Sequence, residues 1–184
     1  MTSSTLLSPS LADQSSNDAP TGKTPPQMID HFQVVDRSQT IDHSETVAAL
    51  KDEINAFLLS SFPQTKCVLK AITPEGAIVS HPIGEAELRP GNTVSGPTMM
   101  EVADVALYIT ILAHHEMQTM VATSNMTINF LRKPSANADL IAECKLIKSG
   151  KTLITGEISL FSADSDAIVA HAVGTYSRPP ASKA

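Results

Sequence analysis

The feature that most constrains the fold is the run from Pro97 to about His115, which is apolar on every side of a helical wheel. Its apolar residues are Met99, Met100, Val102, Ala103, Val105, Ala106, Leu107, Ile109, Ile111, Leu112 and Ala113. A helix that is apolar all round is buried on all sides. Glu101 and Asp104 interrupt the run, and its longest uncharged stretch, residues 105–113, is far shorter than the ~20 residues that span a bilayer. We therefore predict a central helix enclosed by protein, and no membrane association.

Strand-like runs lie on both sides of this helix in the sequence. Residues 67–72 and 77–83 flank the turn Thr73–Gly76, which predicts an antiparallel hairpin. Four further runs follow the helix, at 122–131, 139–148, 152–162 and 167–177. The turns between them are too short for parallel crossovers, which predicts an antiparallel meander. We expect an α+β fold in which an antiparallel sheet wraps around the long buried helix.

The first run after the helix, residues 122–131, alternates in polarity. One face is expected to carry Ser124, Met126, Ile128 and Phe130, and the other Thr123, Asn125, Thr127 and Asn129. Alternation of this kind is typical of a strand with one face turned toward a core.

A length of 184 residues predicts one folded domain. Residues 1–27 are rich in Ser, Thr and Pro and have no sustained apolar period, which is typical of a disordered tail. Residues 28–43 form a leader segment of uncertain structure, and residues 44–180 are expected to form the domain. The domain begins with an amphipathic helix at 44–62, for which Asp42 is a candidate N-cap.

Charge and cysteine content exclude several classes of protein. The chain has 13 Lys and Arg against 19 Asp and Glu, so its net charge of -6 disfavours binding to nucleic acid or to anionic lipid. The two cysteines, Cys67 and Cys144, are far apart and indicate neither a disulfide framework nor a zinc site. The start of the chain lacks the pattern of a secretory signal, so we expect a reducing compartment, the cytoplasm.

Asp104 is the strongest candidate for chemistry. A carboxylate in the middle of a buried helix is costly unless it has partners or a function. It can cap backbone groups of a neighbouring loop, or it can contact a ligand and take part in catalysis. Glu101 lies three residues earlier and Tyr108 four residues later, so a pair of carboxylates with split acid and base roles is one interpretation.

The helix is preceded by Ser95-Gly96-Pro97-Thr98. Gly96 allows a ligand to approach free backbone N–H groups at a helix N-terminus, where a carbonyl oxygen that gains negative charge can bind. The same residues are also compatible with a tight strand-to-helix turn without a ligand. Because Asp104 follows two helical turns later, we expect both to act on one bound group.

Other motifs point away from common site types. His114-His115-Glu116 lacks the spacing of a helical metal site, so no metal is expected. No GxSxG elbow or Gly-rich phosphate loop occurs, so Ser95 is not expected to be a nucleophile. Arg132, Lys133 and Lys151 lie near strand ends, where basic residues are either solvated turns or contacts for phosphates.

From about Leu88 to Tyr176, centred on LRPGNTVSGPTMMEVADVALY and INFLRKP, the sequence resembles the single-domain hotdog-fold acyl-CoA thioesterases of the phenylacetate-degradation type. In that family the helix opens with His-Gly-Gly and carries an Asp or Glu seven residues after the second Gly. The matching residues here are Ser95-Gly96-Pro97 and Asp104. The family's Asn six residues before the His position is Arg89 in this chain, and Asn92 is the candidate to replace it.

The resemblance implies a homodimer or homotetramer that hydrolyses an acyl-CoA without a metal or redox cofactor. Asp104 would be the nucleophile or general base, and the Gly96 amide would polarise the thioester carbonyl. Ser95, Pro97 and Asn92 would line the site, and Thr123 would face Asp104 of the other subunit. Arg132, Lys133 and Lys151 would contact the CoA phosphates. The altered motif also permits a non-catalytic module that binds acyl-CoA, and a hotdog dehydratase is a third interpretation.

Overall fold

The computed structural model describes residues 44–179. The tail at 1–27, the leader at 28–43 and the candidate cap Asp42 lie outside these residues. Two helices and eight strands make up the described part: α1 Ser44–Ser61, β1 Val68–Thr73, β2 Gly76–His81, β3 Leu88–Arg89, β4 Thr93–Val94, α2 Gly96–His114, β5 Ala122–Phe130, β6 Leu140–Ser149, β7 Leu153–Ser162 and β8 Ile168–Ser177. A short 3₁₀ turn, Glu85–Glu87, precedes β3.

The main sheet has six strands in the order β1-β2-β6-β7-β8-β5, and every neighbouring pair is antiparallel. The hairpin of β1 and β2 and the meander of β6, β7 and β8 are confirmed. The expectation that β5 continues this meander is wrong, because β5 pairs with β8 and not with β6. The link at residues 131–139 can reach ~30 Å when extended, enough to cross the ~14 Å of three strand spacings.

Helix α2 is the buried central helix that the sequence predicts, and it packs inside the curved sheet. Leu107 is fully buried and lies against Gly156 of β7 and Gly174 of β8, which are cross-strand partners. A Cβ atom at these glycines would come within 2.6 Å and 2.7 Å of the Leu107 methyl groups. The missing side chains therefore let the helix approach the sheet closely, which confirms the α+β arrangement.

By length and composition, Gly96–His114 is the one helix among the described residues that is apolar enough to cross a membrane. Its most apolar window is 61% buried within the fold. Burial of this kind is the ordinary state of a core helix in a sheet-and-helix protein.

Helix α1 covers the β1 edge of the sheet. Its apolar stripe includes Ile54 and Leu58, which are buried in the core. Between them, the Asn55 side chain donates from Nδ2 to the Leu69 carbonyl oxygen at 3.1 Å and accepts at Oδ1 from the Leu69 amide at 2.9 Å. These two hydrogen bonds occupy backbone groups that a further strand would use.

The opposite edge, β5, is open within the described chain. Seven of its nine residues are exposed, and only Met126 and Ile128 are half-buried. A β-bulge between Thr123 and Asn125 shifts the register, so that Thr123 pairs with Tyr176 and therefore lies on the helix side of the sheet. The predicted alternation, which put Thr123 on the same face as Asn125, is thus wrong at the start of the strand.

Candidate active site

Asp104 lies half-buried on α2 and is held by two hydroxyl groups. Thr123 Oγ1 donates to Asp104 Oδ1 at 2.8 Å, and Tyr176 Oη donates to the same oxygen at 2.9 Å. Tyr176 Oη also lies 3.1 Å from the Asp104 carbonyl oxygen. The carboxylate thus faces β5 and β8 and does not cap a loop.

The position of Thr123 differs from the one that the family resemblance implied. Thr123 contacts Asp104 of its own chain, whereas the resemblance placed it opposite Asp104 of another subunit. The bulge at the start of β5 explains the contact, because it turns Thr123 toward the helix beside its cross-strand partner Tyr176.

Asp104 opens into a cavity of about 250 Å³ between α1, α2 and the start of β5. Its walls are Phe57, Ser61, Phe62, Val105, Tyr108, Thr119, Val121, Ala122, Thr123 and Tyr176. The rings of Phe62 and Tyr108 meet edge to face at 6.5 Å, and those of Tyr108 and Tyr176 stack at 6.2 Å between centroids. Burial raises the pKa of both tyrosines above the ordinary value. We call this space the Asp104 cavity; its wall combines aromatic and apolar side chains with the carboxylate, its two hydroxyl donors, and Ser61 and Thr119.

The N-terminus of α2 is built as a capped helix start. Ser95 is the N-cap, and its Oγ accepts from the Thr98 amide at 3.2 Å and pairs with the Thr98 hydroxyl at 2.8 Å. Gly96 and Pro97 occupy the first two helical positions, and Pro97 is exposed. The hydroxyl of Ser95 is therefore already used within the chain, which leaves the Gly96 backbone as the feature suited to a ligand.

A second cavity, of about 470 Å³, lies at this helix start, and we call it the Gly96 cavity. It is lined by Arg89, Thr93, Val94, Gly96, Met99, Phe130, Leu131, Arg132, Lys133 and Pro134. The Phe130 ring at the end of β5 lies 3.5 Å from where a Cβ of Gly96 would stand. Three cationic side chains thus converge on the helix N-terminus, a combination that suits a phosphate-bearing ligand.

Gly96 and Asp104 line different cavities of the chain, so a single copy does not bring them to one bound group. Eight residues separate them, which is about 12 Å along a helix axis. Asp104 sits beside Thr123 at the start of β5, whereas Gly96 sits beside Phe130 at its end. The two predicted catalytic elements therefore lie at opposite ends of the open edge strand.

Two other predicted contacts lie away from both cavities. Asn92 is exposed in the β3–β4 turn with a φ of 51°, a left-handed position that Asn tolerates better than most residues. Lys151 follows the end of β6, whereas Arg132 and Lys133 follow the end of β5. The strand register aligns the end of β6 with the start of β5. Lys151 therefore lies at the opposite end of the strands from Arg132 and Lys133, and one chain does not bring all three cations together.

Glu101 and Asp104 do not form a pair with shared roles. Glu101 is exposed, and Asp104 is bonded to Thr123 and Tyr176. The charge of Glu101 instead affects a separate buried pair, in which Cys67 Sγ lies 3.5 Å from His81 Nδ1. Burial raises the pKa of the Cys67 thiol to about 11, and the charge of Glu101 also raises it.

Beside this group, the carboxylate of Glu87 accepts from Lys66 Nζ at 2.6 Å and from the Gly84 amide at 2.8 Å. The Lys66 hydrogen bond lowers the pKa of Glu87. The backbone oxygen of Glu87 accepts from the Ser95 amide at 2.9 Å. Glu87, buried and paired with the half-exposed Lys66 side chain, therefore supports the loop that leads into α2.

The histidines of the His114-His115-Glu116 motif have structural partners. His114 Nε2 lies 2.9 Å from the Gly76 carbonyl oxygen, and His115 lies between Arg178 Nη2 and Ser149 Oγ, each at 2.9 Å. Within residues 44–179, no group of three or more His, Cys, Asp or Glu side chains is arranged to hold a metal ion.

Tyr176 and Arg89 are site residues whose roles sequence reasoning missed. Tyr176 follows Ala170, Ala172 and Gly174 on the inward face of β8, and a tyrosine at an inward position needs a partner for its hydroxyl. That signal was available, but the partner is 72 residues away in the chain. Arg89 was noted only as a departure from the family motif, and the structure puts it in the Gly96 cavity.

Comparison with known proteins agrees with this architecture. A family model described as "Thioesterase superfamily" matches residues 91–169. A crystal structure from Silicibacter sp. TM1040, provisionally assigned as a thioesterase, is 39% identical, with 71% of this chain and 92% of that chain covered and a TM-score of 0.65. Among curated proteins, none matches this chain.

More distant structures share the fold. Zebrafish thioesterase superfamily member 2 is 17% identical, with 74% of this chain and all of that chain covered and a TM-score of 0.63. A mutant of the phenylacetic acid degradation protein of Thermus thermophilus is also 17% identical, with 67% and 99% covered and a TM-score of 0.55. The described sheet and central helix are those of the hotdog fold, and the chain belongs to the thioesterase superfamily.

Proposed function

We propose that this protein is an acyl-CoA thioesterase that hydrolyses the thioester to a free acid and CoA. The observation that carries the proposal is the Asp104 carboxylate, held by Thr123 and Tyr176 at the mouth of an aromatic cavity. A fixed carboxylate beside an apolar space suits a reaction in which water or the carboxylate attacks an acyl carbon.

Two reaction mechanisms use the same carboxylate. As a general base, Asp104 takes a proton from water while the water oxygen attacks the thioester carbon; the C–S bond then breaks and the proton passes to the departing CoA sulfur. As a nucleophile, the carboxylate attacks the carbon itself and expels the CoA thiolate, which takes a proton from solvent. Water then cleaves the mixed anhydride and restores the carboxylate. Both mechanisms give one acid and one CoA for each water consumed.

We infer that a second copy of the chain completes the site. If two copies pair through β5 about a twofold axis, the start of one strand lies beside the end of the other. Asp104, next to Thr123, then faces the Gly96 amide of the second copy, next to Phe130. This arrangement explains why Gly96 and Asp104 line separate cavities in one chain, and it supports a homodimer or a homotetramer built from such dimers.

The same pairing would also bring cationic side chains of the two copies together to bind phosphates. Arg89, Arg132 and Lys133 of the Gly96 cavity would receive the phosphates of CoA, the polyanionic part of the substrate. Lys151 lies at the Asp104 end of the sheet, so the twofold axis would bring it toward the cations of the other copy. We also propose a cytoplasmic location, with which the two free, buried cysteines agree.

A non-catalytic module that binds acyl-CoA is the second candidate. One observation favours it: Ser95 stands where the family has His, and its hydroxyl is engaged in capping α2. Such a module would bind acyl-CoA through the same cations without releasing thiol.

Thiol release from short, medium, long and aromatic acyl-CoAs tests both candidates. Asp104→Asn should remain folded, because the amide is nearly isosteric, and should lose on the order of 10²-fold or more in kcat. Glu101→Gln, which removes an exposed carboxylate one turn away, is the matched control and should retain activity. Tight binding of acyl-CoA without thiol release would favour the binding module, and a fully active Asp104→Asn protein would refute the catalytic role of Asp104.

A further inference from the structure

Resting on the proposed function, we propose that Tyr176 is a positioning residue that, together with Thr123, fixes the Asp104 carboxylate so that Oδ2 is the oxygen that acts on water or thioester. Both hydroxyl donors converge on Oδ1, at 2.8 Å from Thr123 and 2.9 Å from Tyr176. Within residues 44–179, Oδ2 has no hydrogen-bond partner. The two oxygens of one carboxylate thus have different tasks.

The Tyr176 hydroxyl lies against Asp104 at two points. It has a single hydrogen, and it is 2.9 Å from Asp104 Oδ1 and 3.1 Å from the Asp104 backbone oxygen, with the Thr123 hydroxyl also beside it. The side chain is 4% exposed, so water does not readily replace these contacts. Its pKa is raised by burial and by the charge of Asp104, so the hydroxyl stays protonated and donating through the neutral range.

The surroundings hold Tyr176 in place from three sides. Within the sheet it pairs with Ile154 of β7 and with Thr123 of β5. Its ring stacks on Tyr108 at 6.2 Å. A side chain on a strand that is flanked by two other strands has little freedom to move, so the carboxylate that is hydrogen-bonded to it is restrained as well.

Two donors on one oxygen restrain the carboxylate. They oppose rotation about the bond to the carboxyl group, so both oxygens keep their places beside the Asp104 cavity. Loss of one donor should therefore lower the rate of the chemical step, with little effect on substrate binding.

Tyr176→Phe tests the inference, because it removes the hydroxyl and keeps the ring. We expect kcat to fall by about tenfold to 10²-fold, the usual effect of losing a hydrogen bond to a charged group. KM should change less than about threefold. A folded Tyr176→Phe protein with unchanged kcat would overturn the inference.

Tyr108→Phe is the matched control. Tyr108 lines the same cavity and belongs to the same ring stack, but its hydroxyl donates to the Thr119 carbonyl oxygen at 3.1 Å, not to Asp104. Its removal should cost less in kcat than removal of the Tyr176 hydroxyl, because no contact with Asp104 is lost. An equal loss of kcat in both variants would assign the effect to the ring cluster and contradict a specific role of Tyr176.

A readout that does not need turnover separates this inference from the proposed function. In crystal structures of the two proteins, the Asp104 carboxylate should hold one orientation in the native protein and should rotate or adopt more than one orientation in Tyr176→Phe. An unchanged carboxylate in Tyr176→Phe overturns the inference whether or not acyl-CoA is hydrolysed. Failure of the proposed function would appear differently, as absence of thiol release from the native protein.

Discussion

The β1 and β5 edges of the sheet differ in what lies against them. At β1, helix α1 packs over the strand, and Asn55 bonds both backbone groups of Leu69. At β5, most side chains are exposed and no described strand pairs with its outer edge. The exposed apolar side chains Phe130 and Leu131, 52% and 55% exposed, stand at the end of this open edge.

The difference indicates which edge is available for the proposed pairing of two copies. An open strand presents backbone groups and side chains to another chain, and proteins usually block such an edge when it has no partner. Here the chain blocks one edge with its own helix and leaves the other open. Both halves of the proposed site lie along the open edge, with Asp104 near Thr123 and Gly96 near Phe130.

The largest expected effect comes from a substitution that disrupts the proposed pairing of two copies at the open edge. Thr127 is exposed near the middle of β5, where a twofold axis would bring two copies of the residue close together. Thr127→Lys should therefore convert the oligomer to monomers by charge repulsion. Hydrolysis should fall on the order of 10²-fold, because Asp104 loses the Gly96 amide of the other copy. Sedimentation velocity and thiol release measure the two effects.

The matched variant is Thr127→Glu, which should also be monomeric by itself. An equimolar mixture of the Lys and Glu variants should recover both the oligomer and a large part of the activity, because opposite charges then meet across the axis. A Thr127→Lys protein that is monomeric and fully active would contradict the two-chain site.

The second effect concerns the closed edge and should appear in stability. Asn55→Ala removes both hydrogen bonds to Leu69 and leaves two backbone groups without their partner. We expect the free energy of unfolding to fall by about 1–3 kcal/mol, with kcat per folded molecule unchanged. Denaturant unfolding followed by circular dichroism gives the free energy.

Asn137→Ala serves as the control for this change. Asn137 is exposed in the loop between β5 and β6, and its substitution should alter the free energy of unfolding by less than about 0.5 kcal/mol. Equal losses of unfolding free energy in the two variants would show that the Asn55 hydrogen bonds to Leu69 do not stabilise this edge in solution.

The smallest expected effect is the pH dependence of stability near the closed edge. Burial lowers the pKa of His81 below its ordinary value of 6.5, although the charges of Glu101 and Glu87 oppose this effect. Below about pH 6.5 the unfolded chain therefore binds a proton more readily than the folded one, and stability falls as pH decreases toward the folded pKa. Unfolding free energies between pH 7.5 and 5.5 should show this slope, and His81→Gln should reduce it.

Some pH dependence of the unfolding free energy should remain in the His81→Gln protein, because burial and the charge of Arg178 also lower the pKa of His115. An unchanged slope would show that His81 contributes nothing to the acid sensitivity. In either case activity per folded molecule should stay constant, since His81 lines neither the Asp104 cavity nor the Gly96 cavity.

Much of the fold could be predicted because its signals are local. The helix Gly96–His114 is apolar on all sides, and the strands β6, β7 and β8 are separated by short turns. Periodicity and turn chemistry describe neighbours within a few residues, so they specify an element and its immediate successor well. The same reasoning failed for β5, whose neighbour β8 lies further along the chain than β6.

The site was only half predictable for the same reason. An acid in an apolar helix singled out Asp104, and a glycine before the helix singled out Gly96. Their partners could not be found in this way: Tyr176 reaches Asp104 across 72 residues of sequence. Helical spacing also made Gly96 and Asp104 look like one site, whereas packing against opposite ends of β5 separates them.

The sequence by itself determined a buried central helix, an antiparallel α+β sheet and a carboxylate that needed partners. Hydrophobic periodicity and the cost of burying a charge are properties of short segments, so these conclusions required no coordinates. Only the tertiary structure decided which edge is open, which hydroxyls hold Asp104 and which of its oxygens is left free. Those choices depend on a one-residue bulge at Thr123 and on the close approach of Leu107 to Gly156 and Gly174, because both set how distant strands meet the helix.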